Sequence, residues 1–545
     1  MRTPLLFCIS LLAGSSLFAQ TPAAPAPGTA VAPGTAESQT PGSGIPSDGQ
    51  PPAGTPAPTG AQPAPNQALV VPPVAAKPDR RPSVLRVNVT NQPWDFMRPW
   101  GKRSPYSRRA VGAVLPGNRV LVTGELVANA NYLELEANEG GAKVPASIEV
   151  VDYEANLAIL KADEPKFMEN FEPMEFTTAT VGDTVSVWQL ENTGTVLVTN
   201  GSLTTAEVSR YPIDDTPLLV YRATASLQFR DSSFTLPVVK ENKLVGVVMR
   251  YDNATKSAEI IPAPVIEHFL KDVAKPPYRG FARIGLSFSN TRDPQLRRYV
   301  GLKAGGPAGG VYVTDVLTDG PAAKGGIEVG DVLLRINGIP VDQDGNYNDP
   351  TYGKISLMHL VGTKHFVGDT LKVTALRKGE LKEFEVAIAR RTPESYTIEP
   401  YVIDRAPNFY VLGGLVLQEL SRQYLKEWGS DWTKKAPEEF VFLDRQQGDL
   451  FKQQGRKVVI LSGVLPSSVT VGYEELHHMV ITKVNGMEIH RLADVPTALA
   501  QAVNGLHKIE FDGDPSCIYL DAAAITAGDP VLMRNYRIPL LKRLD

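Results

Sequence analysis

Between residues 81 and about 261, short runs rich in β-branched and apolar residues recur at close intervals. They are Ser83–Val89, Arg119–Val127, Tyr132–Ala137, Leu157–Lys161, Thr184–Leu190, Leu218–Ala225 and Lys243–Arg250. Turn-forming residues separate them: Pro116-Gly117-Asn118, Asn138-Glu139-Gly140, Gly182-Asp183 and Asp214-Asp215. Many short strands with little helix predict a β-sandwich or barrel. The pattern then changes to a helical period over Pro262–Val273. Pro264 suits the first turn, and Val265, Phe269 and Leu270 share a face.

A second block, residues 276–395, contains Val311-Tyr312-Val313-Thr314-Asp315-Val316-Leu317. The run Gly330-Asp331-Val332-Leu333-Leu334-Arg335-Ile336-Asn337-Gly338 follows. Asn337-Gly338 is a strong hairpin signal, because both residues tolerate positive φ. Gly353–Val361 reads as an amphipathic helix. A third block, residues 396–545, echoes the second. Leu334–Val341 recurs as Thr482-Lys483-Val484-Asn485-Gly486-Met487-Glu488-Ile489, and Val311–Leu317 recurs loosely as Val458–Val464. Near-constant spacing between the paired runs predicts a diverged internal duplication. Ala493–Ala502 reads as a helix.

The leader is different material. Arg2 precedes an apolar run, Leu5–Ala13, and small residues lead to Ala19. This is the pattern of a secretory signal peptide over residues 1–19. The run is too short for a bilayer span, and no later stretch of the sequence is long and apolar enough for one. Residues 20–80 are rich in Pro, Ala, Gly and Thr, without an aromatic between Phe18 and Trp94. Such a segment buries too little apolar area to offset its ordering entropy and predicts a disordered linker. The mature chain keeps one cysteine, Cys517, of the two in the sequence, so it forms no intrachain disulfide. Scarce cysteine also argues against a disulfide scaffold or a thiolate zinc site. The formal charge of −4 argues against a chain built to hold nucleic acid.

The order of leader, β-rich block, closing helix and two repeats resembles the HtrA/Deg family of serine proteases. The resemblance implies a mainly β, multidomain fold: a trypsin-like double β-barrel over 81–275, a PDZ domain over 276–395 and a second, divergent PDZ-like domain over 396–545. The most specific run is Gly320-Pro321-Ala322, Gly326-Ile327, Gly330–Leu334 and Asn337-Gly338. In PDZ domains a peptide C-terminus adds a strand to a sheet edge, and a loop of backbone amides holds its carboxylate. The matching loop is Arg283-Ile284-Gly285-Leu286, leading to Phe288, with Leu357 and Leu360 expected on the helical wall of the groove. The insert Asp342–Tyr352 could instead occlude it.

An active member of the family needs a serine, a histidine base and an orienting aspartate. At the matching positions stand Phe234, Glu125 and Asn156. Phe234 has no nucleophilic atom. Asn156 cannot stabilise an imidazolium. A glutamate, with a reference pKa of about 4.3, is poorly matched to activating a hydroxyl. None of the seven histidines falls within residues 81–261, so a register error cannot supply a local base. Ser232 and Ser233 remain as displaced nucleophiles, with Lys240 nearby in sequence; ordinary loop residues are the alternative.

His477-His478 beside Glu474 and Glu475 lacks a matched ligand geometry, so no metal and no cofactor are expected. The basic cluster Arg98, Lys102, Arg103, Arg108 and Arg109 is interleaved with Trp94, Phe96, Trp100 and Tyr106. In HtrA-like proteins aromatic residues near this point support trimer packing, which implies a homo-oligomer. The whole reading is a periplasmic or secreted, catalytically degenerate HtrA/Deg-like protein that binds peptide or protein C-termini. The alternative is an active serine endopeptidase using a displaced serine.

Overall fold

The structure, a computed structural model, describes residues 81–137, 141–191, 193, 195–228, 235–302, 309–450 and 455–544. The segments expected as signal peptide and linker, the turn Asn138-Glu139-Gly140 and the residues Ser232, Ser233 and Phe234 lie outside them.

Six strands close the first barrel: β1 (Val84–Asn91), β2 (Tyr106–Leu115), β3 (Arg119–Val122), β4 (Ala130–Glu136), β5 (Lys143–Asp152) and β6 (Leu157–Ala162). Their order is β1-β2-β3-β6-β5-β4. The strand expected over Arg119–Val127 stops at Val122, and Gly124–Val127 forms a helical turn, α1. The reason is local: Thr123 is extended, and Asn156 Oδ1 accepts the amide of Glu125, two residues on. The short helix α2 (Pro165–Met168) leads to the second barrel. Its strands are β7 (Thr184–Leu190), β8 (Val196–Arg210), β9 (Pro217–Ala225), β10 (Leu236–Lys240), β11 (Lys243–Asp252) and β12 (Ser257–Pro262), in the order β10-β11-β12-β9-β8-β7. Gly246 allows β11 and β12 to approach closely, since a Cβ there would lie 2.3 Å from the Ile261 carbonyl oxygen. Helix α3 (Ala263–Val273) closes the domain by burying Val265, Ile266 and Phe269.

The second block comprises β13 (Leu286–Ser289), α4 (Pro294–Tyr299), β14 (Val311–Val316), α5 (Pro321–Lys324), β15 (Val332–Ile336) and β16 (Ile339–Pro340). It continues through β17 (Asn346–Asp349), β18 (Gly353–Ser356), α6 (Leu357–Gly362), β19 (Thr370–Arg377) and β20 (Glu380–Ala387). The main sheet runs β13-β14-β15-β19-β20, leaving β13 at an edge. The helix expected over Gly353–Val361 begins only at Leu357. Gly353–Ser356 instead pairs with β17, and the Ser356 hydroxyl caps α6 by accepting from the Met358 amide. The β17–β18 hairpin leans on the second barrel through Tyr352, whose hydroxyl lies 2.6 Å from that of Tyr221. One continuous apolar core joins this barrel to the block, from Val238 and Tyr221 to Val311 and Leu357.

The third block comprises β21 (Phe409–Leu412), β22 (Leu415–Glu419), α7 (Arg422–Leu425), α8 (Trp432–Lys435), α9 (Glu438–Leu450), β23 (Val459–Val464), β24 (Met479–Val484) and β25 (Met487–Glu488). It ends with α10 (Val495–Leu499), β26 (Leu506–Asp512), β27 (Cys517–Asp521), α11 (Ala522–Tyr536) and β28 (Lys542–Arg543). The duplication extends to hydrogen bonding. Asn337 (φ 50°) donates its amide to the Lys372 carbonyl and accepts the Lys372 amide on Oδ1. Asn485 (φ 50°) does the same with Lys508. Helix α10 is shorter than the span expected from Ala493–Ala502.

The aromatic segment between β1 and β2 is used within the chain. Phe96 is buried with Leu420, Tyr424 and Phe440 of the third block, and its carbonyl accepts from Gln418 Nε2 at 3.1 Å. Trp100 meets Phe409 edge-on at 6.2 Å, and the Arg543 guanidinium lies over Trp94 at 4.8 Å. Arg103 pairs with Glu427. Phe96, Trp94 and Trp100 thus pack against their own chain's third block. Among the described residues, no helix is long and apolar enough to cross a membrane.

Candidate functional site

The candidate residues gather at two places, the contact between the barrels and a cleft beside β13. At the first, the barrels meet through Thr123 and Thr235. Strand β3 delivers Thr123 in extended conformation, and the chain turns into α1, placing Glu125 at its first turn. Asn156 is fully buried with φ 53°, a left-handed conformation that asparagine tolerates better than most residues. Its Oδ1 accepts the Glu125 amide at 2.8 Å, while its Nδ2 is buried with no hydrogen-bond partner among the described residues. From β2, Arg108 donates to the Glu125 carbonyl at 2.9 Å and to its carboxylate at 3.1 Å. The third strand of chain enters through Thr235, whose hydroxyl lies 2.5 Å from that of Thr123. The Thr235 carbonyl accepts the Val111 amide at 3.2 Å.

Glu125 and Asn156 are therefore in contact, and the residue that follows Phe234 is tied to the residue two before Glu125. Phe234, Ser232 and Ser233 themselves lie outside the described residues. Chemically, Glu125 carries a carboxylate engaged by a guanidinium, and Asn156 carries a neutral amide whose acceptor is occupied. The histidines are elsewhere and otherwise employed. His268 stacks between Phe281 and Phe366 at 4.7 and 4.1 Å, and burial lowers its pKa. His359 is fully buried beside Tyr347, and burial holds its pKa down at about 4. His477 is exposed, but His478 packs against Trp428 and Phe440, where burial brings its pKa to about 4. Among the described residues, no three potential metal ligands cluster.

The second place is the cleft beside the edge strand β13. Gly285 has φ 77°, and a Cβ there would sit 3.0 Å from Pro321 Cδ, so glycine lets this loop close on α5. Ile284 is buried, Leu286 and Phe288 are half-buried, and all three line a cavity of about 1010 Å³. Leu357 and Leu360, expected on the groove wall, are 0% and 4% exposed in the core. Helix α6 is rotated by about one residue from that expectation, so Met358 and Val361 line the cavity instead. The insert 342–352 does not line it; it packs on the second barrel through Tyr352.

Arg283 corrects the sequence reading in part. Its backbone pairs with Ala389, continuing the sheet beside the loop. Its guanidinium turns away from a ligand role and donates to Asp214 at 2.6 Å, to Thr216, and to the Tyr396 hydroxyl at 3.0 Å. It also lies 3.5 Å from Glu154, which Arg390 meets at 2.9 Å. A buried guanidinium needs carboxylate partners, and the second barrel supplies them. Burial, reinforced by Asp152, pushes the Glu154 carboxyl up to about 7 against the pull of both arginines. The loop carrying Asp214 is also gripped by the third block. Arg422 pairs with Asp215 at 2.8 Å, and Lys426 Nζ lies 3.4 Å from the Ile213 carbonyl. No sequence signal pointed to this three-way junction, because its partners are separated by 67 to 236 residues.

Two segments match PDZ domain family models, residues 282–388 and 398–542. Over 467 residues the chain is 23% identical to "Protease Do-like 4, mitochondrial" of Arabidopsis thaliana, covering 85% of each. It is 23% identical over 471 residues to "Protease Do-like 2, chloroplastic" of the same organism, covering 85% of this chain and 75% of that one. A solved structure, "HtrA-type protease AlgW with decapeptide", is 18% identical and covers 58% of this chain and 97% of its own, with a TM-score of 0.43. With two closed six-stranded barrels followed by two PDZ domains, and with Do-like relatives along most of its length, the chain belongs to the HtrA/Deg family of trypsin-like proteases.

Proposed function

We propose that this chain is a catalytically inactive HtrA/Deg protein that binds peptide or protein C-termini through its first PDZ domain. It acts outside the cytoplasm, in the periplasm or after secretion, as an envelope adapter, a holdase-like chaperone or a regulator of an active relative. One observation carries the reading. Residues 81–261 contain no histidine, and at the position expected for it Glu125 is paired with Arg108 and its amide is bonded to Asn156. A triad needs a base near neutral pH, and no group here supplies one.

The relatives' names favour a second reading, a serine endopeptidase with a displaced nucleophile such as Ser233. One experiment separates the two. Purified protein is treated with a fluorescent fluorophosphonate and, separately, with unfolded casein. The inactive reading requires no labelling and no cleavage. Labelling that disappears in Ser233→Ala would establish the endopeptidase.

A further inference from the structure

The cavity beside β13 is walled by all three folded domains. The first PDZ domain supplies the loop Ile284–Leu286 with Met358 and Val361. The second barrel supplies Arg210, and helix α9 of the second PDZ domain supplies Arg445. Its lining charges do not cancel. Arg283 and Arg390 are matched by Asp214 and Glu154, and Asp444 by Arg422. Arg210, Lys324, Arg391 and Arg445 remain, and among the described residues none has an ion-pair partner. Against these four stand only Asp315 and Asp319 on the same lining.

Arg391 is the best placed of the four. It follows Ala389, which pairs with Arg283, by two residues, and it lines the same cavity as the loop. Its guanidinium is stacked on the Tyr396 ring at 3.5 Å, which fixes its position without using its charge on a carboxylate. Burial, and then the nearby Arg283 cation, lower its pKa, as expected of a cation lacking an anionic partner.

Resting on the peptide-binding reading above, we infer that this groove selects C-terminal peptides carrying an acidic side chain near the end, received by Arg391 with Arg445 and Arg210. The apolar surface of Ile284, Leu286, Met358 and Val361 takes an apolar terminal side chain. The free cations supply the anionic preference, and the second PDZ domain thereby shapes the specificity of the first. An ion pair in a partly enclosed site keeps more of its strength than one on an open surface, and a guanidinium binds a carboxylate bidentately.

The test uses the full chain and fluorescent decapeptides with a free carboxylate and a terminal Val. They differ only in Glu, Gln or Lys at the third position from the end. The Glu peptide is expected to bind about tenfold more tightly than the Gln peptide, ~1.4 kcal/mol. The Lys peptide should bind most weakly, and the Glu-to-Gln ratio should shrink as salt is raised. In Arg391→Gln the ratio should fall toward one, Arg391→Lys should keep part of it, and Arg445→Gln, an exposed position, should lower it without affecting folding. Equal binding of Glu and Gln peptides, or a ratio unchanged in Arg391→Gln, overturns the acidic selectivity while leaving peptide binding intact. If none of the peptides binds, and C-terminally amidated versions behave identically, the peptide-binding reading itself fails.

Discussion

Replacing Arg283 by methionine separates two roles for one side chain. In a peptide-receiving role, its loss weakens ligand binding and leaves the fold intact. The contacts imply the reverse. Asp214 and Glu154 have side chains 2% and 1% exposed, and Arg283 lies 2.6 and 3.5 Å from them. Removing one partner of a buried pair costs roughly 3–5 kcal/mol, mostly from the charge left behind. Glu154 retains Arg390 and Asp214 retains the Thr216 amide, so the lower end, about 3 kcal/mol, is expected here. The assay is urea unfolding of the full chain, with Asp214→Asn and the double variant completing a cycle. A coupling of about 1–3 kcal/mol between the two positions is expected. Peptide affinity measured below the transition should change little. A variant with an unchanged unfolding midpoint but much weaker peptide binding would refute the assignment of this guanidinium to the domain junction.

Three further outcomes follow from the geometry. Burial pushes Glu154 up to about 7 from the ordinary carboxyl value of 4.5, so between those values the folded chain holds a proton that the unfolded chain has lost. Stability should therefore fall as pH rises from about 4.5 to 7 and flatten above, by at most on the order of 3 kcal/mol. Unfolding midpoints across that range should slope less steeply in Glu154→Gln, whatever constant offset the lost pairing with Arg390 adds. Phe96→Ala should cost about 3–5 kcal/mol at the contact with the second PDZ domain. Limited trypsinolysis should then cut at Lys102 or Arg103 in the variant before the parent. Asn485→Ala removes the side-chain bonds to the Lys508 amide and the Ala498 carbonyl and places alanine at φ 50°. It should lower stability by about 2 kcal/mol, and Asn485→Gly, which relieves the backbone part, should recover some of it in the same melting measurement.

Strand positions were legible where burial alternates or is continuous. Thr184–Leu190 appears as expected, and Leu157–Lys161 extends by one residue as β6. Strands β2 and β8 were missed because their patterns follow partners and not a buried period. The first half of β2 is largely exposed, and β8, fifteen residues long, alternates weakly through Thr and Ser. The Gly353–Val361 error has a similar origin. Its helical period is real from Leu357, but β17 recruits the preceding four residues by backbone pairing, which leaves no trace in side-chain hydrophobicity. The Asn-Gly turns were legible because their chemistry is local: positive φ at both positions, encoded in two adjacent residues.

The same distinction explains the site. Glu125 and Asn156 could be found in sequence because each lies beside a strand, β3 or β6, whose apolar run fixes its register, and the two positions meet through one hydrogen bond. The junction could not be found. Arg283 looks like part of a carboxylate-binding loop in its local context, and only the placement of Asp214 in another domain reveals the competing use of its charge. Conversely, Arg391 carries no motif, and its interest comes from what it lacks. Every neighbouring buried arginine is matched by a carboxylate, whereas Arg391 is held by an aromatic ring. Among the described residues no carboxylate pairs with it, and a cation fixed in this way on the cavity lining suits an anionic ligand. That reasoning links the unpaired arginine to a ligand, and the Glu-to-Gln comparison measures it directly.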